Sequence, residues 1–327
     1  MVSWKVYLRN YRSVFSQLIT AKTVQALILP RVLFNKPINT QFLITHIFTH
    51  KNLKMRHLTS ILTLLVIACL FGCQQQNQSD PMARFVKDQS FINAHEKPLV
   101  INFVGTGKTI SFPTPDGKTG SAYALMAAKP SKKYLLVIHE WWGLNDNIKK
   151  EAERLADSLK TVNVIALDIY DGKVATSPDE AGKIMSTIAP TRAEAIVKGA
   201  IAMAGKKAKI GTIGWCFGGG WSLRSSILAG SQGIGCVMYY GMPVEKASDL
   251  APLKADVLGL FGKKDAFINP GVVKKFEELA AATGKKVEIH SYDADHAFAN
   301  PSNPKFDAVA AKEANGLALA FLKKKFN

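Results

Sequence analysis

From about Ser121 onward the chain alternates short apolar runs with longer stretches whose apolar residues recur every three or four positions. Short buried runs make strands and the longer periodic ones make helices, and their alternation calls for a mainly parallel sheet covered on both faces. Strands are expected at Ala122 to Ala128, Tyr134 to His139, Val162 to Asp168, Lys209 to Ile213, Gly235 to Tyr240, Asp256 to Phe261 and Lys286 to Tyr292. Asn147 to Lys160 reads as a helix with Ala152, Leu155, Ala156 and Leu159 on one face. Further helices are expected near Asp179 to Thr187, Arg192 to Ala204, before about Leu228, at Val272 to Ala282 and from Ala308 to Lys324.

The region before this pattern reads differently. Met55-Arg56-His57 precedes an apolar run from Ile61 to Gly72 and then Cys73. A dozen apolar residues do not cross a bilayer core, which needs about 20 in a helix, so the run suits a signal peptide. Leu70-Phe71-Gly72-Cys73 resembles the lipobox of bacterial lipoproteins, in which the cysteine is acylated and heads the mature chain, although Phe at its second position is atypical. Gln74 to Ser79 is purely polar and suits a tether. The expected organisation is an upstream extension over 1–54 from a start assigned too early, a signal over 55–72, an acylated Cys73 with a tether over 73–90, and one domain over 91–327. A presequence of mitochondrial type is the rival for the basic leader, and an ordinary cysteine the rival for Cys73. The implied location is the bacterial cell envelope, with the membrane engaged only through the anchor; the alternative is the cytoplasm.

Composition supports this division. The 327 residues are 47% hydrophobic with a formal net charge of +17, which suggests a nucleic-acid binder until the charge is divided along the chain. Nine of the 42 Lys and Arg fall in the first 79 residues, which hold no Asp or Glu, leaving 33 basic against 25 acidic residues in the rest. A dispersed excess of that size without an arginine stripe or aromatic ladder is a solvated lysine surface, and no nucleic-acid partner is expected. Of four cysteines, Cys69 and Cys73 belong to the leader, so no disulfide framework is implied. After the tether there are four histidines, His95, His139, His290 and His296, with no His-Glu-x-x-His helix and no Cys-x-x-Cys pair. No metal is expected.

The chemistry is carried by Gly214-Trp215-Cys216-Phe217-Gly218-Gly219, set between a predicted strand and a predicted helix. A nucleophile on so sharp a turn needs residues without a Cβ two before and two after it, and it lies where a helix N-terminus favours a thiolate and a developing oxyanion. The alternative is a glycine-rich turn with a structural cysteine. A thiol nucleophile needs a base and an orienting acid, which hydrolases of this kind present in the order nucleophile, acid, histidine on loops after strands. Asp265 follows Leu258 to Gly262, and His296 follows the next strand. Each alone could be a loop residue, but together they occupy three roles in order.

At this point the chain resembles the dienelactone hydrolase family of α/β-hydrolases over roughly Lys108 to Phe326. The resemblance rests on His139-Glu140-Trp141-Trp142-Gly143, Asp168-Ile169-Tyr170-Asp171-Gly172-Lys173, the Cys216 elbow, Gly262-Lys263-Lys264-Asp265 and His296-Ala297-Phe298-Ala299. It implies a single α/β-hydrolase domain, with Cys216 as nucleophile, His296 as base and Asp265 as its partner. It further implies that Glu140 hydrogen-bonds the resting thiol, and that the N–H groups of Trp141 and Phe217 form the oxyanion hole. Trp142, Tyr170, Phe298 and Asn300, with Trp215 and Phe267 nearby, are expected to line the substrate pocket. Family members that take the acidic dienelactone grip its carboxylate with arginines, one shortly after the catalytic histidine. That position here is Asn300, and Lys183 or Arg192 is the candidate for the other.

The expected activity is hydrolysis of a small ester or lactone through an acyl-cysteine, by a monomer and without a cofactor. The alternatives are a thioesterase, a silent binding domain on the same fold, or a cysteine peptidase, which the triad order disfavours. Cys216 is expected to be accessible and partly thiolate, and Cys236, inside an apolar strand, to be buried and inert.

Overall fold

The computed structural model describes residues 80–327, and the signal, lipobox and Cys73 lie outside these described residues. The sheet has eight strands: β1 Lys108–Pro113, β2 Thr119–Leu125, β3 Lys133–Ile138, β4 Asn163–Leu167, β5 Lys209–Trp215, β6 Gly233–Tyr239, β7 Asp256–Gly262 and β8 Val287–Tyr292. They lie in the order β1-β2-β4-β3-β5-β6-β7-β8, with β2 antiparallel to both its neighbours and every other pairing parallel. Strand order reverses at β3, flanked by β4 and β5. That is where an open sheet leaves a crevice at the carboxyl ends of its strands.

The apolar runs behave as the pattern requires. All of β4 is buried, as are the last four residues of β3 and the last six of β5 and β7. The helices are α1 Gln89–Ala94, α2 Asp146–Leu159, α3 Pro178–Thr187, α4 Pro190–Ala204, α5 Phe217–Ala229, α6 Ala247–Leu250, α7 Pro270–Ala282 and α8 Ala308–Phe326. Asn145 caps α2 by accepting from the Ile148 N–H, and Ile148, Ala152, Leu155 and Leu159 form its buried stripe. Helices α2 and α8 touch each other and the sheet, and α4 and α5 do the same, which gives two helical layers. Alanines at 310, 311, 314 and 318 let α8 lie close to β5, β6 and β7.

Three elements differ from the sequence reading. Strand β1 was not anticipated, because it is an edge strand with only Phe112 buried and so lacks an apolar run. The short α6 was also missed. Most consequential is the stretch assigned to a tether. A 3-10 turn at Pro81–Phe85 and helix α1 pack onto the domain, with Met82 at 1% and Phe91 at 0% exposure. The expected boundary at residues 90 and 91 therefore falls inside α1, and the packed chain already includes Asp80, whose side chain caps the turn.

Candidate active site

Cys216 stands between the last residue of β5 and the first of α5, with φ 53° and ψ −120°. A side chain at positive φ is strained, and the fold sustains it because the neighbouring glycines let strand and helix meet. A Cβ on Gly214 would strike the Gly218 carbonyl, and one on Gly218 would strike the carbonyls of Ile138 and His139. Two more non-glycine residues with positive φ, Tyr240 and Ala297, follow β6 and β8 at the same end of the sheet.

Asp265 lies in the loop after β7 and His296 in the loop after β8. His296 Nδ1 is 2.6 Å from Asp265 Oδ2, while Asp265 Oδ1 accepts the Phe267 and Ile268 N–H groups at 2.8 and 2.9 Å. Both side chains are buried. With Nδ1–H donating to the carboxylate, Nε2 is the free end of the ring, and among the described residues it has no hydrogen-bond partner. Burial works against the His296 imidazolium, but the carboxylate and sulfur beside it outweigh burial and hold its pKa well above the ordinary histidine value. Burial likewise opposes ionised Asp265, and the His296 charge and hydrogen bonds together leave its carboxyl below the usual range.

The candidate nucleophile departs from expectation. Cys216 is 1% exposed, so its thiol is not accessible in this state, and burial pushes its pKa up against the pull of His296. Cys236 is buried in β6 as expected, with burial pushing its thiol up to about 11.

What covers Cys216 is α1. The Phe91 ring packs 5.2 Å from Trp141 and 4.9 Å from Phe267, and His95, just after the helix, lies 5.0 Å from the His296 ring. His95 Nδ1 is 2.7 Å from the Phe91 carbonyl. A carbonyl only accepts, so this nitrogen carries the proton and Nε2 presents a lone pair. That lone pair faces Cys216 Sγ at 3.9 Å. Burial and the neighbouring His296 charge lower the His95 pKa to about 3, so the ring is neutral. Sequence reasoning weighed His95 only as one of the scattered histidines. Nothing in its spacing from Cys216, 121 positions away, could have joined the two.

Glu140, after β3, is buried but does not bond the thiol: its Oε2 accepts from Asn300 Nδ2 at 2.6 Å. His95 occupies the place beside the thiol that the resemblance gave to Glu140. Burial raises the Glu140 carboxyl to about 7, against the pull of His296 and the Asn300 hydrogen bond. The backbone N–H of Phe217 bonds the Cys216 sulfur and helps to hold its pKa down, and the Trp141 N–H makes no backbone hydrogen bond in the turns and loops of the described residues. Phe217 is the first residue of α5, where an N–H has no intrahelical partner.

A cavity of about 460 Å³ opens beside Glu140. Of the expected pocket residues Asn300 and Trp215 line it, together with Phe306 and Arg154. Trp142, Tyr170 and Phe298 are instead core side chains, 3% exposed or less. The candidate cations fare no better. Arg192 spends its donors on Asp171, Asp116, Thr114 and the Thr119 carbonyl, which leaves none for a substrate. Lys183 is exposed on α3 and does not line the cavity.

The Dienelactone hydrolase family model matches residues 121–326, more than half of the chain. The chain belongs to the dienelactone hydrolase family. It is 30% identical over 202 residues to "Protein usf" of Aquifex pyrophilus, covering 58% of this chain and 87% of that protein. It is 25% identical over 228 residues to a carboxymethylenebutenolidase of Pseudomonas putida, covering 65% of this chain and 94% of that one. The fold is also that of a dienelactone hydrolase-like promiscuous phosphotriesterase from metagenomic libraries, at a TM-score of 0.59 and 20% identity, covering 68% of this chain and all of the other. This dienelactone hydrolase-family chain is thus a single α/β-hydrolase domain over its described residues, and a hydrolase.

Proposed function

We propose that the protein hydrolyses a small ester or lactone through an acyl-cysteine intermediate on Cys216. The observation that carries this reading is the free Nε2 of His296, fixed by the Asp265 bond to the opposite nitrogen, in the same buried cluster as Cys216 Sγ. With its pKa raised by Asp265, His296 draws the proton of the thiol onto Nε2 before sulfur attacks the acyl carbon, and the N–H groups of Trp141 and Phe217 receive the oxyanion. The proton passes to the leaving alkoxide, which departs as alcohol. Water then gives its proton to His296 and attacks the thioester, and the collapsing intermediate releases the acid as sulfur regains a proton.

His95 and Phe91 must withdraw for a substrate to reach sulfur, and the cavity beside Glu140 is the room for its body. The burial of Cys216 also favours one second reading, a silent binding domain on the same fold. Assay of p-nitrophenyl acetate and neutral lactones with the wild type and Cys216→Ala separates the two. Hydrolysis lost in the variant is the expected result, and equal rates would overturn the mechanism. A thioester panel in the same assay tests the thioesterase alternative. The envelope location is a proposal resting on the lipobox alone, and mass spectrometry of the mature N-terminus for an acylated Cys73 checks it.

A further inference from the structure

The cluster around Cys216 has more ligating capacity than ester hydrolysis uses. Three soft or borderline donors converge there from remote segments: His95 after α1, Cys216 at the elbow and His296 after β8. Their ligand atoms lie within 4.8 Å of one another, all three residues are buried, and Cys216 Sγ to His95 Nε2 is 3.9 Å. In a tetrahedral zinc site with bonds of about 2.0 Å to nitrogen and 2.3 Å to sulfur, ligand atoms are separated by about 3.3–3.6 Å. Shifts of about an ångström would close the set.

The orientation of the rings is the second observation. A metal-bound histidine donates its far ring N–H to a carboxylate or a backbone carbonyl, which fixes the tautomer and aims the other lone pair at the metal. Both histidines have that partner. His95 Nδ1 donates to the Phe91 carbonyl at 2.7 Å and His296 Nδ1 to the Asp265 carboxylate at 2.6 Å. His296 Nε2 is meanwhile a buried ring nitrogen with no partner among the described residues.

We propose that His95, Cys216 and His296 form a three-ligand site for a borderline-soft divalent cation, Zn²⁺ by its chemistry, whose occupation takes the nucleophile out of use. On binding, the Cys216 thiol gives its proton to solvent and each Nε2 contributes a lone pair, and a water completes the tetrahedron. The cation also ties α1 to the sheet through His95, closing the cover over the elbow. The site stands on geometry alone. Only its consequence, loss of turnover, rests on the proposed hydrolysis, and a spectroscopic readout keeps the two apart.

The test uses chelator-treated, reduced protein titrated with Co²⁺ and, separately, Zn²⁺. The expected results are 1:1 Zn²⁺ binding by calorimetry and, with Co²⁺, a thiolate-to-cobalt charge-transfer band with the visible bands of a tetrahedral ion. The charge-transfer band should vanish in Cys216→Ala. In His95→Gln the affinity should fall at least about 100-fold, because losing a ligand exceeds the 10–100-fold cost of losing a ligand's outer partner. His296→Gln gives the same comparison from the other ring should His95→Gln not fold by circular dichroism. Absence of the band in wild-type protein, its persistence in Cys216→Ala, or unchanged affinity in the histidine variants overturns the site. If the site forms and Zn²⁺ leaves ester turnover unaffected, the site stands and the assignment of Cys216 as nucleophile falls.

Discussion

At the level of single residues the site turns on which partner each buried polar group finds. Glu140 is held in the fold with its carboxyl raised to about 7 by burial, whereas the unfolded group ionises near 4.5. Between those values the folded protein keeps a proton that the unfolded chain releases, so the Glu140 contribution to stability is full below about pH 4.5 and is lost as pH rises through 7. A difference of that size corresponds to on the order of 3 kcal/mol. Glu140→Gln keeps an acceptor for Asn300 and removes the charge, so urea unfolding should find it more stable than wild type at pH 8 by roughly that amount and equal at pH 4. Equal stability at both would show that Glu140 carries no buried charge. On the proposed hydrolysis, the same pair bears on substrate choice. An arginine grip on a carboxylate contributes about 1.5–3 kcal/mol, one to two powers of ten in kcat/KM, and among the described residues the guanidinium lining the cavity, Arg154, is already neutralised by its ion pair with Glu151 at 2.8 Å. Neutral short esters should therefore match or exceed dienelactone. Asn300→Arg alone should not reverse this, because Glu140 would take the new guanidinium. The double variant with Glu140→Gln should shift the kcat/KM ratio towards the acidic lactone by about tenfold or more, and a single variant that does so alone would show the Glu140 pairing to be irrelevant. The places of Cys216, Asp265 and His296 were legible because each sits after a strand in a telling local sequence. The Glu140–Asn300 and His95–Cys216 pairs were not, because they join positions 160 and 121 apart with no pattern in common.

Among the elements, legibility followed burial. The strands of the central sheet were placed to within a few residues, since a strand covered on both faces is an uninterrupted apolar run. Strand β1, which alternates and is mostly exposed, gave no such run. The β1–β2 hairpin is tied to the rest of the fold by Arg192 at the start of α4, whose guanidinium bonds Asp116 and Thr114 on one side and Asp171 after β4 on the other. Arg192 is 8% exposed, while Asp116 and Asp171 keep contact with water, so breaking the network costs less than the 3–5 kcal/mol of a fully buried pair. Arg192→Met should lower stability by about 2 kcal/mol in urea unfolding and leave ester turnover per folded molecule unchanged. A selective rise in KM for acidic lactones would instead restore Arg192 as a substrate contact.

Over the whole domain, the feature with most influence on access is the segment before the hydrolase pattern, which crosses the carboxyl ends of the strands and seals the elbow. Its hold is local: α1 has six residues, too few to persist without packing, and Phe91 and Met82 are its buried anchors. Such a segment opens below the free energy of global unfolding. Phe91→Ala removes a ring in contact with Trp141 and Phe267, a loss of about 3 kcal/mol that falls on the closed state of the cover and not on the sheet. The population of the open state, and with it iodoacetamide alkylation of Cys216, should then rise by about a hundredfold, at a factor of ten per 1.4 kcal/mol. Cys236 lies in β6, under α5 and beside the Ser222 hydroxyl, and exposes itself only when the sheet opens. Its alkylation should stay slow in wild type and variant alike when peptide mapping follows both thiols. Parallel acceleration of the two would mean that α1 and the sheet open as one unit, and that access to Cys216 is not governed by the cover.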